Sequence, residues 1–149
     1  MTVKVLVYSL KEFTETTKFT DDNLEQFPLD YFICINASGF IHSTPYFKKD
    51  HPSVLNLFFD DVDHDHTKFD IVFNMSFPAK ACKDEQAKQI VEFVNRIPDS
   101  ATVHVYCTKG KSRSPAVAMY VEEVKNNNAV KFDTYNEYVF NLLKSYDKF

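Results

Sequence analysis

Cys107-Thr108-Lys109-Gly110-Lys111-Ser112-Arg113-Ser114 is the stretch on which the reading of this chain turns. Just upstream, Thr102-Val103-His104-Val105-Tyr106 is rich in β-branched and aromatic residues and predicts a short buried strand. Just downstream, Ser114-Pro115-Ala116-Val117-Ala118-Met119 predicts a helix, with Ser114 as N-cap and Pro115 at its first position. Between them lies Gly110, one of only two glycines in the chain, the other being Gly39. A strand, a tight glycine-bearing turn and a helix N-terminus aim successive backbone N–H groups into one concavity, which suits an anion.

The side chains in that turn supply chemistry. An unperturbed thiol ionises near pH 8.5, and a helix N-terminus with a nearby guanidinium lowers that value. Cys107 is therefore expected to be a thiolate at neutral pH and a nucleophile toward phosphorus. Arg113 offers a planar fork for two phosphoryl oxygens, and Gly110 permits a positive φ and a close backbone approach. Ser112 and Ser114 place hydroxyls near the sulfur, where one can assist the thiolate as it departs in a second step. Cysteine, five residues and arginine is a weak pattern alone; the preceding strand, the glycine and the Ser-Arg-Ser ending make it specific.

These residues resemble the signature of the cysteine-dependent protein phosphatases, His-Cys-x-x-Gly-x-x-Arg-Ser/Thr, and most closely the compact dual-specificity type, including microbial and phage enzymes. The resemblance implies Cys107 as nucleophile, Arg113 as phosphate-binding arginine and Ser114 as the hydroxyl that follows it. It implies Thr108, Lys109, Gly110, Lys111 and Ser112 as the phosphate cradle. One position departs from the pattern: where the family has a histidine that supports the thiolate, this chain has Tyr106, and His104 lies two residues too far back. A less acidic Cys107, or a substitute hydrogen bond, is the expected consequence.

Such enzymes also use an upstream aspartate as general acid. Leu55, Leu57 and Phe59 alternate and predict a strand running into Asp60-Asp61-Val62-Asp63-His64-Asp65-His66. The resemblance to a Leu-x-Phe-x-Asp-Ile/Val pattern selects Asp61 as the acid, framed by Leu57, Phe59 and Val62. Asp63 is the second choice, and Asp60, Asp65 and Asp70 follow. The separation from Cys107 exceeds that in many dual-specificity enzymes, and an extended loop from His66 to Phe77 is expected to absorb it. His64-Asp65-His66 beside these carboxylates contains metal-ligand types. Alternate residues of an extended segment face opposite ways, so an exposed polar loop is expected, with no metal and no cofactor.

The rest of the chain predicts an α/β domain. Val3–Tyr8, Asp30–Asn36 and Val54–Phe59 read as strands beside Thr102–Tyr106, the second of them apolar nearly throughout and hence buried on both faces. Ser9–Thr17 reads as a short helix or turn, and Asn36 to Gly39 as a turn. Ala87, Ile90, Val91 and Val94 recur at helical spacing within Asp84–Val94. Helices are also expected over Pro115–Lys125 and Phe132–Tyr146. Strands alternating with helices imply one α/β domain over residues 1–149, with a mostly parallel sheet of about four or five strands and flanking helices, and the resemblance implies that this domain has a phosphatase-like fold. Ligands of such sheets bind beyond the carboxyl ends of the strands, where Cys107 falls.

Composition bounds the function. The net charge of −4 argues against general nucleic-acid binding. Fifteen Phe and eight Tyr with no Trp read as core filling. Cys34, Cys82 and Cys107 form no spaced framework, and neither a signal peptide nor a membrane span is apparent, so a cytoplasmic setting is expected. The expected partner is a phosphorylated protein, with phosphotyrosine favoured and phosphoserine and phosphothreonine as further substrates. Lys109 and Lys111 resemble loop lysines of phosphoinositide phosphatases, and Thr108 matches enzymes of this type acting on RNA 5′-phosphates, so both substrate classes stay open. A phospho-binding pseudophosphatase and a rhodanese-like sulfurtransferase are the alternatives from other classes.

Overall fold

The computed structural model describes residues 2–38, 45–65 and 79–147. Four strands, β1 (Lys4–Ser9), β2 (Asp30–Asn36), β3 (Val54–Phe58) and β4 (Thr102–Cys107), form an all-parallel sheet in the order β1-β4-β2-β3. Four helices flank it: α1 (Leu10–Thr16), α2 (Asp84–Arg96), α3 (Arg113–Asn126) and α4 (Glu137–Tyr146). A single 3₁₀ turn covers Leu24–Gln26. The parallel registers pair Ser9 with Cys107, Cys34 with Tyr106 and Ile35 with Leu57.

The central strands β2 and β4 are buried on both faces, and strict alternation sorts their side chains into two different cores. Ile33, Ile35, Val103, Val105 and Cys107 pack with Ala87, Ile90 and Val94 of α2, Ala116, Val117 and Tyr120 of α3, and Val139 and Leu143 of α4. On the other face Phe32, Cys34 and Tyr106 join Phe13 of α1, Phe19, Leu24 and Phe47. This second core is built on rings: Phe13 meets Phe32, Tyr46 and Phe47 edge-on, with centroids 6.2, 5.2 and 6.0 Å away. Each such pair is worth about 0.5–1.5 kcal/mol beyond the area buried. Rings dominate the core on the face opposite Cys107, while Phe59, Phe93 and Tyr120 lie among the aliphatic side chains of the first core.

Several element boundaries differ from those expected: β3 ends at Phe58 rather than Phe59, β4 runs on to Cys107, and α2 runs on to Arg96. β1 begins at Lys4 and runs to Ser9, because Ser9 pairs in register with Cys107 and its hydroxyl accepts the Glu12 N–H of α1 at 3.0 Å. The helix after the Cys107 loop begins at Arg113 with Ser112 as N-cap, so Ser114 is not the cap and Pro115 lies in the first turn. The last helix begins at Glu137 rather than Phe132, because the Asn136 side chain accepts the Val139 N–H at 3.0 Å and closes the N-terminus there. The expected turn at Asn36 to Gly39 is described only as far as Ser38, and the expected loop from His66 to Phe77 lies outside the described residues. Among the described residues no helix is long and apolar enough to cross a membrane.

Candidate active site

β4 ends on Cys107 and α3 starts at Arg113, so residues 108 to 112 form a tight connection at the carboxyl edge of the sheet. Gly110 has φ +69, a conformation that side chains rarely adopt. A Cβ there would lie 2.5 Å from the Ser9 nitrogen and 2.7 Å from the Tyr8 carbonyl carbon. The loop is therefore seated directly on the backbone of β1, and the Leu10 N–H donates to the Thr108 carbonyl at 3.3 Å.

This seating turns the loop inward onto the sulfur. Cys107 Sγ accepts the Gly110 N–H at 3.2 Å and the Ser114 N–H at 3.4 Å, with the Ser114 hydroxyl also 3.2 Å away. Burial pushes the thiol up, but the Ser114 hydroxyl, the Arg113 guanidinium and the two N–H groups outweigh it and hold Cys107 below the ordinary thiol value. At the other two cysteines burial prevails, over a Tyr106 hydrogen bond at Cys34 and together with the Asp84 charge at Cys82. Cys82 is pushed up to about 12 and Cys34 further still. All three thiols are buried, and Cys107 alone is made more acidic.

Arg113 is only 7% exposed, and its Nη1 donates to the Phe59 carbonyl at 2.8 Å. Its Nε is buried without a protein partner among the described residues. A buried guanidinium with an unused donor, next to a thiol and a helix N-terminus that carries no acidic residue in its first turn, is chemically suited to a dianionic oxyanion. Thr108, Lys109 and Lys111 are exposed at the rim of the same loop.

The acidic run after β3 sorts itself by partner. Asp60 is buried, accepting the Ser38 N–H at 3.1 Å, the Lys80 N–H at 2.8 Å and the Ser38 hydroxyl, which makes it a structural tie. Asp65 accepts the Ala81 N–H at 3.0 Å and pairs with Lys83 at 2.5 Å. Asp63 pairs with its neighbour His64 at 2.6 Å. Asp61 alone of these four reaches the Cys107 loop: its Oδ1 accepts the Ser112 hydroxyl at 2.7 Å and the Asn136 side-chain amide at 2.8 Å. Leu57, Phe59 and Val62, the expected frame, are all buried. Asp70 and His66 lie outside the described residues, and among those described no group of three or more His, Cys, Asp or Glu is arranged to hold a metal ion.

Tyr106 does not stand in for the histidine of the signature. One residue before Cys107, it points into the aromatic core on the opposite face, where its hydroxyl donates to Asn36 Oδ1 at 3.1 Å and accepts the Tyr46 N–H at 3.3 Å. His104 is on that face too, bonded to Asp30 at 2.8 Å and Tyr8 at 2.9 Å. The sulfur thus takes its support from the loop and from α3.

Two contributors escaped the reading of the sequence. The Phe59 carbonyl that holds Arg113 is a backbone atom and leaves no trace in side-chain patterns. Asn136 had one local signal, an N-cap residue three positions before Val139. No protein-family model, no curated protein and no solved structure matches this chain.

Proposed function

We propose that this chain is a phosphatase that hydrolyses phosphate monoesters through a phosphocysteine intermediate. The observation that carries this reading is Cys107: a buried thiol made more acidic by a buried serine hydroxyl, the Arg113 charge, and the N–H groups of Ser114 in α3 and Gly110 in the loop. In the first step the Cys107 thiolate attacks phosphorus, the ester P–O bond breaks, and its electron pair leaves on the alkoxide or phenoxide oxygen, which takes the proton of Asp61. In the second step water attacks phosphorus and gives its proton to the Asp61 carboxylate. The S–P bond then breaks, its electron pair returns to Sγ, and the Ser114 hydroxyl stabilises the departing thiolate. Arg113 and the loop N–H groups hold the equatorial oxygens throughout.

Phosphotyrosine in proteins is the favoured substrate, with phosphoserine and phosphothreonine next. The test is a turnover screen over phosphotyrosyl and phosphoseryl peptides, phosphoinositides and RNA 5′-triphosphates, with Cys107→Ser alongside. Hydrolysis of a phosphotyrosyl peptide by the native chain and none by Cys107→Ser is the expected result. Preference for another of these substrates would redirect the substrate class. Phosphopeptide binding with no turnover of any substrate would replace the enzyme by a binding module, and thiocyanate formed from thiosulfate and cyanide would replace it by a sulfurtransferase.

A further inference from the structure

We infer that Asn136 is the positioning residue for Asp61, clamping one carboxylate oxygen so that the other is left to exchange the proton; this rests on the reading of Asp61 as general acid. Asn136 belongs to no part of the signature loop, yet two of its bonds reach the site while a third caps α4. Its backbone N–H donates to the Ser112 carbonyl at 3.0 Å. Its side-chain carbonyl accepts the Val139 N–H at 3.0 Å, and its side-chain amide donates to Asp61 Oδ1 at 2.8 Å.

The orientation of that amide is dictated by its partners. Val139 presents a donor and Asp61 an acceptor, so a flipped amide would oppose donor to donor and oxygen to carboxylate. With Ser112 also donating to it, Oδ1 holds two hydrogen bonds. Proton exchange then falls to Oδ2.

The clamp matters because Asp61 is exposed while its neighbours on both sides are fixed. Asp60 is tied to Ser38 and Lys80, and Val62 is buried with Ala79 and Ala81 against Tyr138 of α4. The backbone around Asp61 is thus anchored, and what remains free is its side-chain rotamer. Ser112 and Asn136 remove that freedom from two directions, one from the loop that holds the phosphoryl group and one from the N-terminus of α4. A proton donor misplaced by about 1 Å can lose on the order of 10²-fold in rate.

The test separates the clamp from the cap. Asn136→Ser keeps an oxygen able to cap α4 but removes the amide N–H, while Asn136→Ala removes both. Steady-state turnover of phenyl phosphate, a poor leaving group, is compared with that of p-nitrophenyl phosphate, alone and in an Asp61→Asn background, with thermal unfolding of each variant. Expected is a kcat loss of about 10- to 100-fold in Asn136→Ser on phenyl phosphate. On p-nitrophenyl phosphate the loss should be much smaller, and in the Asp61→Asn background Asn136→Ser should add nothing. Equal losses on both esters, no loss, or a full additional loss on top of Asp61→Asn would each overturn the inference. Asp61→Asn by itself losing equally on both esters would instead remove Asp61 as the acid.

Discussion

Arg113 Nη1 donates to the backbone carbonyl of Phe59 across 2.8 Å, joining the first residue of the helix behind the loop to the residue that follows β3 and leads to Asp61. One side chain thereby holds together the two segments that carry Cys107 and Asp61. The bond uses the fork geometry of a guanidinium and leaves Nε free of protein partners among the described residues. An ammonium cannot satisfy a carbonyl and a phosphoryl group along separate fixed directions. Arg113→Lys is therefore expected to lose turnover of any phosphate monoester by several orders of magnitude, and to weaken inhibition by inorganic phosphate or vanadate in parallel. Steady-state kinetics with an oxyanion titration measures both, and retention of near-native kcat/KM would show that the fork is dispensable.

Gly110 is the position where backbone strain and packing coincide. Any Cβ there meets the backbone of Tyr8 and Ser9, and the positive φ adds its own penalty. Gly110→Ala is expected to destabilise the fold by about 1–3 kcal/mol and to abolish most turnover, because the loop can only move off β1 by withdrawing its N–H from Cys107. Chemical denaturation and turnover check the two parts separately. An active and fully stable Gly110→Ala would contradict this seating of the loop.

Ser114 lies against the sulfur through both its hydroxyl and its N–H. Ser114→Ala leaves the N–H and removes the hydroxyl, so the Cys107 thiol should rise toward its ordinary value, and its alkylation rate should become significant only at higher pH. The second step should slow more than the first, giving a burst of leaving group before steady turnover. An unchanged alkylation profile in Ser114→Ala would assign the acidity of Cys107 to Arg113 and the loop N–H groups alone.

His104 predicts a pH effect on stability separate from catalysis. Burial is the largest influence and holds the imidazole below the ordinary value of about 6.5, against the opposing pull of Asp30. Because the unfolded chain takes up a proton more readily than the native one, stability is complete above that value and falls as pH drops below it. Unfolding free energies measured between about pH 7 and pH 5 should show this fall, and His104→Gln should flatten it. The same slope in both proteins would shift the effect to other groups.

How much of this was legible in the sequence depended on whether the deciding partner is near in the chain. β2 and the strand-loop-helix around Cys107 are local patterns: a continuous apolar run, a glycine in a turn, a β-branched strand before it. The four-strand parallel sheet follows from their alternation with helices. The choice among Asp60, Asp61, Asp63 and Asp65 was hard to read, because what separates Asp60, Asp61 and Asp65 is partners remote in the chain. Asp60 is tied to Lys80, Asp65 to Lys83, and Asp61 to Ser112 and Asn136. The start of α4 was obscured for a related reason. Phe132 and Tyr135 continue an apolar pattern toward the N-terminus, but the cap at Asn136, which also donates its N–H to the Ser112 carbonyl, begins the helix at Glu137. Tyr106 shows the power of alternation: a shift of one residue along β4 places a side chain in a different core from Cys107.

Phosphoryl transfer to Cys107 itself is the step on which the proposed activity rests. Rapid acid quench during turnover of a phosphotyrosyl peptide, followed by peptide mass spectrometry, tests it most directly. A phosphoryl adduct is expected on the peptide containing Cys107, formed at a rate no slower than steady-state turnover and absent from those containing Cys34 and Cys82. Sustained turnover in Cys107→Ser, with no adduct on any cysteine of the native chain, would contradict it.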